Sequence, residues 1–252
     1  MTMLAATGVT KRFGSLVAVS RVDVRIEPGT IHAIIGPNGA GKTTLFNCVT
    51  GLHAHDEGSI LFKGRPLEHL KSHERVRLGM SRTFQNIRLF SQMTVLENVM
   101  IGRHCRTRAG LLRMFFRLGP LREERAIRAH AEGVLEFIGL SHRRDAVAAT
   151  IPFGEQRRLE IARALSTEPD LLLLDEPTSG MNPRETEQID EVIMNIRALG
   201  KTILLIEHDM SVVMKISDFV TVLNFGVKIA EGPPQVVQKD PRVVEAYLGT
   251  ED

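Results

Sequence analysis

The chain has 252 residues, of which 43% are hydrophobic and 25% charged, and its formal net charge is +2 at pH 7. This length suits one domain, or one core with a subdomain, and the composition is that of an ordinary globular protein. The balanced charge argues against nucleic acid as the main partner, and no apolar run reaches the ~18 residues that a membrane-spanning helix needs. Because the first residues do not resemble a signal peptide and the two cysteines form no spacing pattern, we expect a protein of the reducing cytoplasm.

The first third of the sequence is typical of strands that flank a single helix. Val22, Val24 and Ile26 alternate with other residues and so share one face of a strand, and the Glu-Pro-Gly that follows is a turn signal. The next predicted elements are a strand at 32–35, a helix at 42–50 closed by Gly51, and a strand at 59–62.

A helical pattern begins at Thr94. Thr94 and Glu97 have the spacing of a capping box, in which each side chain accepts a hydrogen bond from the other residue's backbone N–H. The apolar residues further on share one helical face: Ile127, Ala131, Val134, Leu135 and Ile138. We expect the block from Thr94 to Ala149 to form a helical subdomain.

The last third alternates strands with helices. Residues 171–174 are four leucines, as expected of a strand that is covered on both faces. A strand at 202–206 follows an apolar stripe at helical spacing, which comprises Ile189, Val192, Ile193, Ile196 and Leu199. Strands that alternate with helices predict an α/β fold.

A glycine-rich stretch, GPNGAGKT at residues 36–43, lies between the predicted strand at 32–35 and the predicted helix at 42–50. Its glycines allow backbone angles at which successive N–H groups curl around a phosphate, and the helix N-terminus adds partial positive charge. Lys42 can neutralise β- and γ-phosphates, and the Thr43 hydroxyl can bind Mg²⁺. The strand–helix context favours nucleotide binding over a simple glycine-rich turn.

Two carboxylates, Asp175 and Glu176, follow the predicted leucine strand. Asp175 can hold a metal ion through water, and Glu176 can orient and deprotonate an attacking water. A kinase needs no acid aimed at water, so the pair favours hydrolysis. By themselves, two acids at the end of a strand would more simply be solvated side chains, but in a chain that also has the phosphate-binding loop the hydrolytic interpretation is favoured.

Three further features do not indicate a function by themselves. Gln85 follows a strand-like stretch at 81–84, and His208 follows the strand at 202–206. The stretch TIPFGEQRRLEIARAL at 150–165 begins with Pro-Phe-Gly-Glu, an opening that exposes backbone N–H groups at the start of a helix.

The order of these features along the whole chain resembles the ATP-binding cassette ATPase family. Within that family the sequence is similar to the ATPase subunits of branched-chain amino-acid importers. The stretches that carry this similarity are RTFQNIRLF (82–90), PFGEQRRLEIARAL, DEPTSGMNP (175–183), LLIEHDM (204–210) and GVKIAEGPPQVVQKDPRVVEAYLG. The fold implied is an α/β P-loop NTPase (RecA-like) core with an N-terminal antiparallel β subdomain and an inserted α-helical subdomain. The chain would be one domain, with the core at about 1–93 and 165–252 and the helical subdomain, carrying the signature motif, at about 94–164.

The resemblance implies a role for each matching residue. Phe13 would stack on adenine, Gln85 would contact Mg²⁺ and the lytic water, and Asp175 would hold the metal. Glu176 would be the catalytic base, and His208 would hydrogen-bond the γ-phosphate. The phosphates would be held by Gly36, Pro37, Asn38, Gly39, Ala40, Gly41, Lys42, Thr43 and Thr44.

The signature motif departs from the family pattern. The family usually has Leu-Ser-Gly-Gly-Gln, and here residues 151–155 are Ile-Pro-Phe-Gly-Glu, without the serine hydroxyl that would donate to the γ-phosphate. The resemblance implies that Pro152, Phe153, Gly154 and Glu155 face ATP bound in a second subunit, through backbone amides and the helix N-terminus. A second departure is Asn182, where the family usually has aspartate.

The resemblance also implies partners and a location. It predicts ATP and Mg²⁺ as cofactors, a second ATPase subunit (a heterodimer first, a homodimer second), two membrane permease subunits and, indirectly, a solute-binding protein. The chain would lie at the cytoplasmic face of the membrane and would energise uptake of branched-chain or related hydrophobic amino acids.

Two rival functions remain open, together with the role of one segment. Soluble cassette ATPases that act on nucleic acid or the ribosome usually carry tandem cassettes or long coiled coils, and a P-loop kinase should show a phosphate-acceptor site. Residues 106–125 mix arginines with large apolar residues. They fit either a surface that touches membrane subunits or lipid, or an insertion that packs on its own subdomain.

Overall fold

The computed structural model describes residues 2–104 and 121–248, which fold around two β-sheets. The antiparallel sheet has the strand order β2-β1-β4-β5, and the larger sheet has the order β10-β9-β3-β8-β7-β6. The strands are β1 (Leu4–Phe13), β2 (Leu16–Ile26), β3 (Ile31–Ile35), β4 (Glu57–Phe62), β5 (Arg65–Pro66), β6 (Met80–Arg82), β7 (Leu171–Asp175), β8 (Thr202–Ile206), β9 (Phe219–Asn224) and β10 (Val227–Gly232). The helices are α1 (Lys42–Thr50), α2 (Ser72–Leu78), α3 (Val95–His104), α4 (Leu121–Ile138), α5 (Phe153–Leu165), α6 (Pro183–Ala198), α7 (Met210–Ile216), α8 (Pro234–Val237) and α9 (Pro241–Leu248), with 3₁₀ turns at Ser141–Arg143 and Ala148–Thr150.

The larger sheet is parallel except for the β9–β10 hairpin. Every residue of β3, β7 and β8 is buried, because the sheet is covered on both faces. Successive side chains point to opposite cores: Leu171 and Leu173 of β7 enter one, and Leu172 and Leu174 enter the other. The predicted α/β fold and the predicted strand at 171–174 are thereby confirmed, and β7 continues to Asp175.

One core lies between the larger sheet, the antiparallel sheet and α1. Val22, Val24 and Ile26 are all buried in it, so their predicted shared face is confirmed. Helix α1 has the predicted bounds, and Gly51 closes it in the left-handed conformation (φ 75°) with its N–H directed to the last carbonyls of the helix.

The other core lies between the larger sheet and a layer that includes α3, α4 and α5. Helix α3 begins after the predicted capping box, in which Thr94 N donates to Glu97 Oε2 (2.8 Å) and Glu97 N donates to Thr94 Oγ1 (3.2 Å). The predicted apolar face of α4 is also confirmed, since all of its members are buried: Ile127, Ala131, Val134, Leu135 and Ile138.

Strand β6 ends earlier than the sequence predicts. The expected strand covers 81–84, whereas β6 ends at Arg82. Thr83 N still donates to Leu173 O of β7 (2.9 Å), but Phe84 N donates to the carboxylate of Glu160 on α5 (3.2 Å). The chain therefore leaves the sheet at Phe84 because α5 supplies its hydrogen-bond partner.

The insertion predicted at 106–125 lies mostly outside the described residues. Among the residues that the structure describes, no helix combines the length and the apolar character needed to cross a membrane.

Candidate active site

The loop between β3 and α1 has a shape that only glycine permits at two positions. Gly36 (φ 149°) and Gly41 (φ 96°) lie in the region that disfavours side chains. A Cβ on Gly36 would lie 2.1 Å from Leu223 O, and one on Gly41 would lie 2.4 Å from Ala18 O. The β9 strand and the β1–β2 hairpin therefore press directly against this loop and fix its curvature.

Lys42, the first residue of α1, lies over the loop and is buried. Its Nζ donates to Gly36 O (2.7 Å) and to Pro37 O (2.9 Å). Burial lowers the pKa of Lys42, and the carboxylates of Glu176 and Asp175 oppose that shift. No side chain caps the start of α1 at Gly41, so its first N–H groups and a positive charge converge on the same place.

A cavity of about 560 Å³ extends from this loop. It joins the loop to Phe13 at the end of β1, to Gln85 after β6 and to Glu176 after β7. Its lining residues are Phe13, Leu16, Val17, Ala18, Asn38, Gly39, Ala40, Gly41, Lys42, Thr43, Thr44, Gln85, Glu176 and Phe225. A cationic floor and an apolar end suit a ligand with phosphates and a flat ring.

Phe13 and Phe225 form the exposed aromatic part of this lining. The Phe13 ring meets His53 edge-on, with the ring centroids 5.5 Å apart. Phe225 is 86% exposed at the tip of the β9–β10 hairpin, where its φ is 45°. Phe225 was not predictable from the sequence, since its place in the cavity depends on how the β9–β10 hairpin meets the loop.

Gln85, Glu176 and His208 meet at the carboxyl end of β7. Glu176 Oε2 accepts a hydrogen bond from Gln85 Nε2 (3.0 Å) and lies 3.7 Å from His208 Nδ1. Glu176 has a positive φ (45°), an uncommon conformation for a residue with a side chain, and its N–H is fixed by Ile206 O (2.9 Å). The structure thus brings together the three residues for which the family resemblance implies a catalytic role.

Asp175 is buried beneath Glu176 and pairs with an arginine that the sequence analysis missed. Arg82 Nη2 lies 3.1 Å from Asp175 Oδ2, and Arg82 Nη1 also donates to Asn47 and Thr50 of α1. Burial raises the pKa of Asp175, and Arg82 opposes that rise. Arg82 therefore ties the Asp175 carboxylate to the end of α1.

Glu207 was also missed, although it immediately precedes His208. Its buried carboxylate accepts from Thr178 N (3.0 Å), Thr178 Oγ1 (2.7 Å) and His208 N (3.2 Å). Burial raises the pKa of Glu207, and these hydrogen bonds oppose the rise. Glu207 thereby fixes the loop after Glu176 and the backbone of His208. The sequence feature that could have identified Glu207 is its position as an acid directly after the apolar strand β8.

The start of α5 is placed apart from the cavity. Pro152 is the N-cap without a side-chain hydrogen bond, and Phe153 is exposed. Gly154 is packed against Glu185, and the Glu155 carboxylate pairs with Arg143 (2.9 Å) and with His142 (3.6 Å). Among the described residues that line the cavity, none comes from 152–155.

Asn182 has a clear structural role. It is the N-cap of α6, where its Oδ1 accepts from Glu185 N (3.0 Å) and its own N–H donates to Glu185 Oε2 (3.1 Å). Asparagine and aspartate cap helices about equally well, so this departure from the family pattern leaves the cap intact.

Comparisons with known proteins agree with this architecture. Residues 19–179 match a family model described as "ABC transporter", and residues 227–252 match one described as "Branched-chain amino acid ATP-binding cassette transporter". The chain is 44% identical to the high-affinity branched-chain amino acid transport ATP-binding protein LivG of Escherichia coli (strain K12), with 98% of each chain covered.

Solved structures give the same result. The ADP conformation of MJ1267, an ATP-binding cassette of an ABC transporter, matches with a TM-score of 0.87 and 35% identity, covering 99% of each chain. A dimeric post-hydrolysis state of the ATP-binding cassette MJ0796, bound to ADP and Pi, matches with a TM-score of 0.78 and 25% identity, covering 92% of this chain and 99% of that one. The predicted P-loop NTPase fold is thereby confirmed.

A family model that matches well over half of the chain, and a relative of this identity along nearly all of it, lead to one conclusion: the chain belongs to the ATP-binding cassette transporter family and is a nucleotide-binding ATPase.

Proposed function

We propose that the chain is the ATP-hydrolysing subunit of an importer for branched-chain or related hydrophobic amino acids. The descriptions of its relatives support the solute class. The observation that carries the hydrolytic role is the position of the Glu176 carboxylate, which lines the cavity beside the phosphate loop and lies between Gln85 and His208.

The phosphates of ATP bind in the loop formed by residues 36–44. Lys42 exchanges its carbonyl partners for phosphate oxygens, and the free N–H groups at the start of α1 point to the same charge. Phe13 stacks on the adenine, since it lines the apolar end of the cavity with its ring exposed.

The residues near Glu176 fit a magnesium ion. Mg²⁺ prefers oxygen ligands and usually takes one or two carboxylates together with substrate phosphates. Thr43 would contribute a hydroxyl, Gln85 an amide oxygen and Asp175 a carboxylate through a bridging water. Mg²⁺ bound there would neutralise charge on the phosphate oxygens. Among the described residues no cluster of three His, Cys, Asp or Glu could hold a metal.

Glu176 is the general base that orients and deprotonates the attacking water. Gln85 holds the Glu176 carboxylate through its amide and contacts the same water. His208, fixed through its backbone by Glu207, hydrogen-bonds the γ-phosphate. The three side chains thus position the attacking water and stabilise the phosphoryl group, and none of them forms a covalent bond to the phosphate.

The second part of the site comes from another ATPase subunit. The exposed start of α5, with Pro152, Phe153, Gly154 and Glu155, faces ATP bound in the partner, and its backbone N–H groups replace the missing serine hydroxyl. The dimer described for MJ0796 supports pairing of this chain with a second cassette. We favour a heterodimer with a second cassette over a homodimer.

Helices α3, α4 and α5 form the helical subdomain, at about 94–164, and the segment around Gln85 that lies beside α5 contacts a membrane subunit. A cavity of about 420 Å³ lies beside the Gln85 segment, lined in part by Arg88, Leu89, Phe90, Ile101 and Arg163. A permease subunit at the cytoplasmic face of the membrane binds there, so the position of Gln85 links ATP to transport. Two permease subunits and a solute-binding protein complete the importer.

The test is uptake by the assembled transporter. The chain is copurified with its permeases, reconstituted in vesicles with the binding protein, and supplied with ATP and radiolabelled leucine, isoleucine or valine. ATP-dependent accumulation of one of these supports the proposal. ATP hydrolysis without uptake of any of them contradicts the solute class, and copurification with no permease contradicts the transport role.

A further inference from the structure

Two charged side chains on α5, Arg157 and Glu160, are each only 1% exposed. Arg157 Nη1 lies 2.9 Å from Glu160 Oε2, one helical turn away. Burial raises the pKa of Glu160, and the Arg157 guanidinium opposes that rise. A buried ion pair of this kind is weak grounds for stability, because apolar residues of similar volume stabilise a protein as well or better.

The pair holds the backbone that carries Gln85. Arg157 Nη1 donates to Phe84 O (2.7 Å), and Arg157 Nη2 donates to Gln85 O (2.8 Å). Glu160 Oε1 accepts from Phe84 N (3.2 Å) and from Arg88 N (3.3 Å). Both side chains therefore bind the same short segment, which leaves β6 to reach them.

This segment connects two parts of the site. At one end the Gln85 side chain donates to Glu176 (3.0 Å). The segment is also held by Arg157. Arg157 lies on α5, one turn after Phe153 at the exposed start of that helix. A rigid helix and a bidentate guanidinium thus join the surface that faces a partner's ATP to the amide that holds Glu176.

We propose that Arg157 and Glu160 are positioning residues. They attach the backbone around Gln85 to α5, so that the position of α5 determines where the Gln85 amide lies relative to Glu176. This rests on the proposed role of Gln85 and Glu176 in hydrolysis.

The test replaces the pair with apolar residues, Arg157→Met together with Glu160→Leu, which leaves no unpaired charge in the interior. In the full-length ATPase assembled with its second cassette, kcat should fall by about 10-fold or more, because small displacements of catalytic groups are costly. The affinity for ATP should not change. The matched control is Arg75→Lys, since Arg75 is also buried and donates to backbone carbonyls (Cys48 O, Val49 O, Leu67 O and Leu70 O), and its kcat should stay at the wild-type value.

A cycle with Gln85→Ala separates positioning from a merely structural effect. If the pair acts through Gln85, the double apolar change lowers kcat in the wild-type background and has no further effect beside Gln85→Ala. An equal fold-loss in both backgrounds overturns the inference. Absence of ATP hydrolysis by the wild-type chain assembled with its second cassette would instead contradict the proposed function.

Hydrogen exchange gives a second readout that does not depend on activity. The amides of Phe84 and Arg88 should exchange faster in the double apolar variant, because both donate to Glu160. Protection should be unchanged at β8 of the core. Unchanged exchange at Phe84 and Arg88 overturns the inference.

Discussion

Gln85 and Glu176 are 91 positions apart in the chain, yet Gln85 Nε2 donates to Glu176 Oε2 at 3.0 Å. The contact exists because β6 and β7 are parallel neighbours, so the segments that follow them leave the same edge of the sheet. Glu176 has a left-handed backbone that is strained for a side-chain-bearing residue, which directs its carboxylate toward the cavity. The geometry of the site thus follows from sheet topology and one unusual turn.

Replacing Lys42 tests the phosphate loop. Lys42→Ala removes the ammonium that lies on the loop carbonyls and should weaken ATP binding by about 10- to 100-fold, the range for a charge-assisted hydrogen bond. Titration with a fluorescent ATP analogue measures the dissociation constant. Lys63→Ala is the control, because Lys63 pairs with Asp170 at the surface, and its affinity should equal that of the wild type. Unchanged affinity in Lys42→Ala would refute the loop as the phosphate site.

A carboxylate at the start of α5 tests the contact with a partner's nucleotide. Phe153 is exposed at the start of α5, and Phe153→Asp places a negative charge beside the phosphates of the partner's ATP. Because like charges repel, ATP-dependent association of the two subunits should be lost. Gly154→Asp should do the same but is a less clean change, because its Cβ would lie 2.9 Å from Glu185 Oε1.

The measurement is light scattering of the chain carrying Glu176→Gln, alone and mixed with its second cassette, with and without ATP. Leu199→Asp is the control. Leu199 is also exposed, but it is the C-cap of α6, whereas Gly154 faces Glu185 at the other end of that helix. An intact ATP-dependent dimer in Phe153→Asp would rule out α5 as the contact.

His32 predicts a loss of stability in acid. His32 is buried, with Nε2 2.8 Å from Thr221 Oγ1, and burial, with a smaller contribution from Lys228, lowers its pKa from 6.5 to about 4. The unfolded chain therefore takes up the proton first as the pH falls below 6.5. The contribution of neutral His32 is complete above that pH and is lost between 6.5 and 4.

Between pH 7 and pH 5 this amounts to about 2 kcal/mol of the free energy of unfolding. Urea denaturation at both pH values measures it, with His32→Gln as the comparison, because glutamine does not titrate. The wild type should lose more stability than His32→Gln over this interval. Equal losses would show that His32 is not held neutral in the folded state.

Much of the fold follows from local patterns. The bounds of α1 and β8 match the predictions because a glycine stops the helix and apolar runs define the strand. The phosphate loop was predictable for the same reason, since glycine spacing is a local property. The end of β6 was not, because it depends on the hydrogen bond from Phe84 N to Glu160, a residue 76 positions after Phe84.

The groups that hold the site together were harder to predict. Arg82, Arg157, Glu160 and Glu207 are charged residues, which a sequence pattern assigns to solvated faces. Each is mostly or fully buried, and its partners include backbone or side-chain groups that are distant in sequence. Such pairings have no periodicity, so only the folded chain reveals them.

Glu176 activates water for ATP hydrolysis, and the variant Glu176→Gln removes this function alone. Glutamine keeps the shape and can still contact Gln85 but cannot accept the proton, so turnover should fall by about 10²- to 10⁴-fold. ATP affinity should stay at the wild-type value, because Lys42 and the loop are untouched. The measurement is steady-state phosphate release together with ATP titration on the same preparation. We expect Glu176→Gln to bind ATP tightly and to release almost no phosphate. Near-normal phosphate release would show that Glu176 is not the general base.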